Sequence, residues 1–210
     1  MRSKAEILEI MRIFAKENPN PQCELHFHNP YTLLVAVMLS AQSTDKGVNK
    51  ATAELFKVAD TPDKMLQLGE DNLKQYIKTI GLFNNKAKNI ILMSRQLIEN
   101  FGGEVPADRD KLTNLAGVGR KTANVVMNVW YHQPTLAVDT HVMRIAHRLN
   151  LSQGKTPLDV ENDLMKVLPT ELIINTNHWL VLFGRYICKA KQPLCKTCPI
   201  YNYCHCQEKQ

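Results

Sequence analysis

Four cysteines close to the C-terminus, Cys188, Cys195, Cys198 and Cys204, are spaced C-x6-C-x2-C-x5-C. The stretch is short, holds Pro193 and Pro199, and lacks the apolar density of a core. Its thiols must therefore shape it. Four thiolates converging from one loop are the ligand set of a tetrahedral zinc or of an iron–sulfur cluster, and the residue types suit either. Disulfides are the weaker reading. They would leave Cys23 and Cys206 over, no secretory signal is recognisable, and a chain of 210 residues can bury a core without staples. Cys206 is an alternative to Cys204 as the fourth ligand. The run between the first two ligands, Lys189-Ala190-Lys191-Gln192-Pro193-Leu194, is basic. A metal-pinned basic loop presents cations to a polyanion in a fixed geometry.

The charge balance agrees. The net charge is +6, and from Arg185 onward five basic residues stand against the single acid Glu208. The excess is thus concentrated in the tail and leans toward an anionic partner. No stretch has transmembrane length, and Glu6 and Glu9 are out of place in an acidic-poor transit peptide. Free cysteines without an export signal lead us to expect a reducing interior.

Helical signals run through the whole chain. Ser3 with Glu6 forms a capping box ahead of Ile7, Ile10, Met11 and Phe14, and Pro19 and Pro21 close that helix. Asn29-Pro30 starts a nearly all-apolar run, Tyr31 to Leu39, expected to be a buried central helix. Further starts are expected at Asp45, Thr61-Pro62, Asp71, Asn85, Asp108 and Thr156-Pro157, with stops at Gly69, Gly81 and Gly102-Gly103. No segment sustains a period of two, and Leu136 to Val138 is too short for a strand, so the expected fold class is all-α.

One sequence echo occurs within the chain. Ile80-Gly81-Leu82 leads into Lys86-Ala87 as Ala116-Gly117-Val118-Gly119 leads into Lys121-Thr122-Ala123. In the second copy, Gly117 and Gly119 allow positive φ, a sharp reversal between helices and a close approach of bare backbone to a ligand. The helix starting near Arg120 would aim free N–H groups outward, an anion site suited to a DNA phosphate. Gly-x-Gly alone is common, and an ordinary helix–helix turn is the plainer reading. Lys121, one residue into that helix, adjoins Arg120 and a positive helix end. Both disfavour a second positive charge and leave more free amine, a nucleophile able to attack a sugar C1′. Asp139, after Leu136-Ala137-Val138, reads first as an N-cap and second as a base or a stabiliser of a cationic sugar. His26 and His28 resemble a metal pair but read more simply as loop residues.

Together, Leu115-Ala116-Gly117-Val118-Gly119-Arg120-Lys121-Thr122-Ala123, Val138-Asp139-Thr140-His141 and the cysteine tail resemble the helix–hairpin–helix DNA glycosylases that carry a C-terminal iron–sulfur loop. Ser40-Ala41-Gln42, Val48-Asn49-Lys50-Ala51-Thr52, Thr79-Ile80-Gly81-Leu82 and His178-Trp179 also fit, so the resemblance covers nearly the whole chain. One departure is Ala116, where the family usually has proline.

The resemblance implies an all-α, two-domain fold: a six-helix barrel over residues 22–132 carrying the hairpin, and a second domain of residues 1–21 plus 133–210. It implies a [4Fe-4S] cluster on Cys188, Cys195, Cys198 and Cys204, with Lys189 and Lys191 on the adjoining DNA-binding loop. It also implies a monomeric, cytoplasmic, nucleoid-associated bacterial enzyme acting on duplex DNA. The oxidised pyrimidine, or an abasic site, would be flipped into a cleft between the domains. By position Lys121 is similar to the family's nucleophile and Asp139 to its catalytic partner. Gln42 matches the residue that fills the vacated stack and Leu82 the wedge, while Gly117, Gly119 and Arg120 would meet the backbone. Two alternatives remain at this level. An adenine-mismatch glycosylase would have serine or tyrosine in place of Lys121, a glutamate where Ala36 stands, and an extra C-terminal domain, whereas this sequence runs only six residues past Cys204. A non-catalytic iron–sulfur DNA-binding protein would form no imine.

Overall fold

The computed structural model describes residues 2–204 and 206. Lys209 and Glu208, counted above in the tail's charge, lie outside them. Among the described residues the regular structure is helical throughout, with α1 (Lys4–Glu17), α2 (Pro30–Ser40), α3 (Asp45–Val58), α4 (Pro62–Leu68), α5 (Glu70–Ile77) and α6 (Phe83–Phe101). There follow α7 (Arg109–Thr113), α8 (Arg120–Val129), α9 (Thr140–Arg148), α10 (Pro157–Val167) and α11 (Thr170–Tyr186). Short 3₁₀ turns at Cys195–Thr197 and Tyr201–Tyr203 end the chain. Leu136 to Val138 lies in a stretch without regular structure, so no strand forms there.

Local chemistry explains most of the boundaries. Reciprocal capping boxes start α1 at Ser3/Glu6, α2 at Asn29/Thr32 and α10 at Thr156/Asp159. Thr61 caps α4 and Asp108 caps α7 through their side chains. Each such cap contributes about 1 kcal/mol. Some expected boundaries shift. α5 begins at Glu70, one residue ahead of Asp71, because Gly69 closes α4 and opens α5 in a single residue. Gly81 stops nothing: α5 has already ended at Ile77. α6 starts at Phe83 rather than Asn85, since Leu82 takes the cap position and its carbonyl accepts from the Lys86 amide.

The chain divides into two compact units, Cys23–His132 and Met1–Gln22 with Gln133–Gln210. In the first, α2 is buried from Tyr31 to Leu39 on every face. It packs among α3, α6 and α8, and its lack of amphipathicity is what a central helix requires. In the second, Ile7, Ile10, Met11 and Phe14 of α1 join Val142 and Ile145 of α9 and Trp179, Leu180 and Phe183 of α11. The Trp179 indole donates to the Asn18 carbonyl at 2.8 Å, tying α11 to the end of α1. Arg2 donates through Nε to the Leu149 carbonyl at 2.7 Å, so the N-terminal segment is fastened at both ends.

Candidate functional site

The hairpin joins α7 to α8. Leu112, Leu115 and Val118 are buried, while Gly117, Gly119, Arg120 and Lys121 are exposed. The two glycines do different work. Gly117 has φ +73, and a Cβ there would stand 2.8 Å from Asn89 Cβ on α6 and 3.0 Å from Met38 Cε on α2. Both backbone and space therefore demand glycine. Gly119 has φ −90, which any residue adopts, and a Cβ there would meet nothing within 4 Å. The expectation that both glycines serve positive φ is thus corrected. Nothing inside the fold asks for glycine at 119; a side chain there would project only into the space in front of α8. Gly119 is also the N-cap of α8, with no side-chain cap bond, so the helix presents bare backbone N–H groups and its positive end outward. The Gln96 amide oxygen on α6 accepts from the Ala116 amide at 2.7 Å and anchors the turn at the position where proline is usual. Lys121 occupies the second position of α8, exposed beside this open end.

Gln42 and Leu82 sit on two other turns of the same unit. Both are non-glycine residues in the left-handed region, with φ 55 and 57. Gln42 is exposed, and Leu82 is 62 % exposed, the most open of the large apolar residues among those described. Left-handed backbone costs a residue with a Cβ about 1–2 kcal/mol, so both side chains are displayed at an energetic cost. Sequence reasoning missed what lies beneath them. Lys86, on the first turn of α6, is buried, and its ammonium donates to the carbonyls of Leu39 and Ala41 and to the Ser43 hydroxyl. Burial lowers its pKa. The available signal was periodicity: Lys86 falls in register with Ile90, Met93 and Leu97 on the buried stripe of α6, an unusual place for a lysine.

Ala36 is fully buried within α2, so the position where adenine-mismatch glycosylases carry glutamate offers no acid. His26 and His28 lie in the loop before α2, as the plainer reading held. The His26 amide donates to Asn49 Oδ1 at 2.8 Å, and His28 Nε2 faces Asp60 at 3.6 Å.

In the other unit Asp139 is the N-cap of α9, accepting from the His141 and Val142 amides at 2.8 and 2.9 Å. Both bonds go to Oδ1, and Oδ2 takes no part in the cap. The plain reading as a helix cap therefore holds, with one carboxylate oxygen left over for other work.

The cysteine loop folds back on α9 and α11. Cys188, Cys195, Cys198 and Cys204 all line one small, partly open cavity of about 30 Å³, walled by Leu149, Phe183, Ile187, Leu194 and Ile200; Cys206 is absent from that lining. Burial pushes the Cys188 and Cys198 thiols upward, and the Arg148 guanidinium beside Cys188 partly offsets this. Buried thiols of this kind ionise when a metal takes the thiolate. No three described His, Cys, Asp or Glu side chains close tightly enough to hold a single ion. A thiol tetrad around one apolar cavity is a donor set that suits a structural zinc or an iron–sulfur cluster.

Nothing in the cysteine spacing points to Arg144 and Arg148, yet they hold the loop from inside. Arg148 donates to the carbonyls of Lys189 and Ala190 at 2.7 and 3.2 Å, and Arg144 to those of Gly184 and Cys188 at 2.7 and 3.2 Å. The Leu194 amide closes the loop onto the Ile187 carbonyl at 2.9 Å. Lys189 and Lys191 are left exposed on its outer side.

Residues 35–170 match the HhH-GPD superfamily of base excision DNA repair proteins. The chain is 56% identical to the endonuclease III of Rickettsia conorii over 93% of either chain. It is 52% identical to that of Escherichia coli over 99% of this chain and 98% of the other. In structure it is similar to the endonuclease III of a trapped endonuclease III–DNA covalent intermediate, with a TM-score of 0.93 and 46% identity over 98% of this chain and 97% of that one. The same fold recurs in a thermostable thymine-DNA glycosylase at a TM-score of 0.82 and 23% identity. With identity above half along almost the full length and a family match over residues 35–170, the chain belongs to the endonuclease III family of the HhH-GPD base excision DNA repair proteins.

Proposed function

We propose that this protein is a bifunctional DNA glycosylase and abasic-site lyase that removes oxidised pyrimidines from duplex DNA in base excision repair. The observation that carries the reading is the exposed Lys121 amine on the first turn of α8, directly behind an open hairpin that leaves room for a phosphate at Gly119. The hairpin and Arg120 hold the backbone, and Lys121 attacks C1′ of the flipped nucleotide. The amine lone pair forms the C1′–N bond. The glycosidic bond breaks, and the base leaves with that electron pair and takes up a proton. Ring opening gives an imine. Loss of a C2′ proton then expels the 3′ phosphate by β-elimination, and water releases the lysine. Asp139, with Oδ2 outside the helix cap, assists proton transfer or stabilises the cationic sugar.

We assign residues 22–132 as the domain bearing the hairpin and residues 1–21 plus 133–210 as the domain of the cysteine loop, with the protein acting in the bacterial cytoplasm. Gln42 fills the vacated stack and Leu82 parts the neighbouring step. Cys188, Cys195, Cys198 and Cys204 would hold a [4Fe-4S] cluster, for which a cavity walled by apolar side chains and four thiols is a suitable site. When bound, the cluster would supply rigidity to the loop rather than bond chemistry, and the positive charge would come from the lysines it holds in place. Lys189 and Lys191 carry the loop's charge to the DNA backbone.

The test is borohydride trapping on DNA holding an oxidised pyrimidine. Wild-type protein should give a covalent adduct that survives EDTA. Lys121→Gln should bind the same DNA and give none. Asp139→Asn, which keeps the cap acceptor, should slow base release at least about tenfold. Full trapping by Lys121→Gln would move the nucleophile elsewhere. For the metal site, purified protein should contain about four iron and four sulfide per chain. Cys204→Ser should lose them and Cys206→Ser should keep them; the reverse pattern would reassign the fourth ligand.

A further inference from the structure

Lys86 is a buried cation that the proposed chemistry does not use. Its three acceptors, the carbonyls of Leu39 and Ala41 at 2.8 and 2.6 Å and the Ser43 hydroxyl at 3.3 Å, are all uncharged. The carbonyls lie at the C-terminal end of α2, where a helix leaves acceptors unpaired and its dipole favours a cation. A glycine cap would satisfy the same groups without burying a charge. The cation comes instead from α6, 45 and 47 residues further along the chain.

What the arrangement joins is specific. The Ala41–Ser43 bond acceptors flank Gln42, and the Lys86 amide donates at 3.1 Å to the carbonyl of Leu82, which caps α6. The two turns also touch. A Cβ on Gly81 would stand 3.7 Å from the Gln42 carbonyl oxygen and 4.0 Å from Ser43 Oγ. Thus the C-terminal end of α2, which leads into the Gln42 turn, is bonded through the Lys86 ammonium to α6, whose first residues follow Leu82 and whose Lys86 amide holds the Leu82 carbonyl.

We infer that Lys86 is a positioning residue that locks the Gln42 and Leu82 turns together as one two-pronged wedge, so that both prongs enter the duplex in register. Gln42 addresses the space left by the flipped nucleotide and Leu82 the adjoining stack. A fixed spacing between them removes the ordering cost of inserting two independent loops. This inference rests on the proposed glycosylase reading.

The experiment compares two DNAs under single-turnover conditions. One is a duplex with an oxidised pyrimidine paired to a purine. The other carries a bulged abasic site with no opposite nucleotide, which needs no filling and little unstacking. Lys86→Met should lower base release from the first at least tenfold, and lower imine trapping on the second less than twofold. In a Gln42→Ala, Leu82→Ala background the same substitution should cost less than a further twofold, because the prongs it aligns are gone. Equal losses on both DNAs, or an undiminished loss in that background, would reduce Lys86 to a structural residue and overturn the inference. Should Lys86→Met not fold, Lys86→Arg keeps the charge but spreads it over a fork that cannot meet three acceptors converging on one nitrogen. It should show the same substrate-dependent loss, and an equal loss on both DNAs would again overturn the inference. A wild type that neither releases base nor traps would sink the functional reading itself, and this inference with it. A working wild type with substrate-blind variants sinks the inference alone.

Discussion

The turns at Gly81-Leu82 and Gly117–Gly119 echo each other in sequence, and both open helices that lack a side-chain cap. They distribute backbone strain in opposite ways. At the hairpin the left-handed residue is Gly117, which adopts φ +73 without penalty and lets the turn press against Asn89 and Met38. At the other turn the left-handed residue is Leu82, whose φ of 57 is costly and whose side chain gains little burial in return. Glycine stands at 117, where the backbone itself comes close to the fold, and at 119, where the open space in front of α8 is the proposed place of a phosphate. Leucine stands where a side chain must be held out toward solvent, and the strain is maintained by what lies beneath. In the proposed function, one turn is approached and the other penetrates.

The sharpest way to break this contrast lies within the hairpin. Gly117→Ala combines a left-handed alanine with a 2.8 Å clash and should destabilise the protein by about 2–4 kcal/mol in urea unfolding. Gly119→Ala should leave stability within about 0.5 kcal/mol, yet weaken DNA binding about tenfold by placing a methyl where phosphate approaches. Similar stability losses at both positions would mean that the two glycines are not separable into a folding and a contact role.

The second turn makes the opposite prediction. Leu82→Gly relieves the left-handed strain and gives up a side chain already 62 % exposed. Stability should be unchanged or higher by up to about 1 kcal/mol, while base release from paired duplex falls about tenfold. A clear loss of stability would show that Leu82 packs rather than penetrates.

The smallest effect belongs to the cysteine loop, where the exposed Lys189 and Lys191 are proposed to make electrostatic contacts only. Lys189→Ala or Lys191→Ala should weaken binding to damaged and undamaged DNA alike and shallow the salt dependence by about one counterion. An unchanged slope in both variants would remove the loop from the interface.

Much of this protein is legible in its sequence because the relevant interactions are local. Ser3 with Glu6, Asn29 with Thr32, and Thr156 with Asp159 lie three residues apart, so the capping bonds that start α1, α2 and α10 form between neighbours. Tyr31 to Leu39 contains no polar face, and a helix without one has to be central. The cysteine spacing and the glycine pair are likewise short-range, which is why the metal loop and the hairpin can be found before any fold is known.

Tertiary structure alone decided which glycine was structural, because that depends on Asn89 and Met38, brought to Gly117 from two other helices. It decided that Arg144 and Arg148, not only the thiols, shape the basic loop, since their acceptors lie some 40 residues further along the chain. It also placed the Lys86 ammonium on the Ala41 carbonyl, next to Gln42, across 45 residues of sequence. A cap is a property of a few consecutive residues and appears wherever they appear. A buried ammonium on three uncharged oxygens exists only once packing has excluded water and brought two distant turns to the same point.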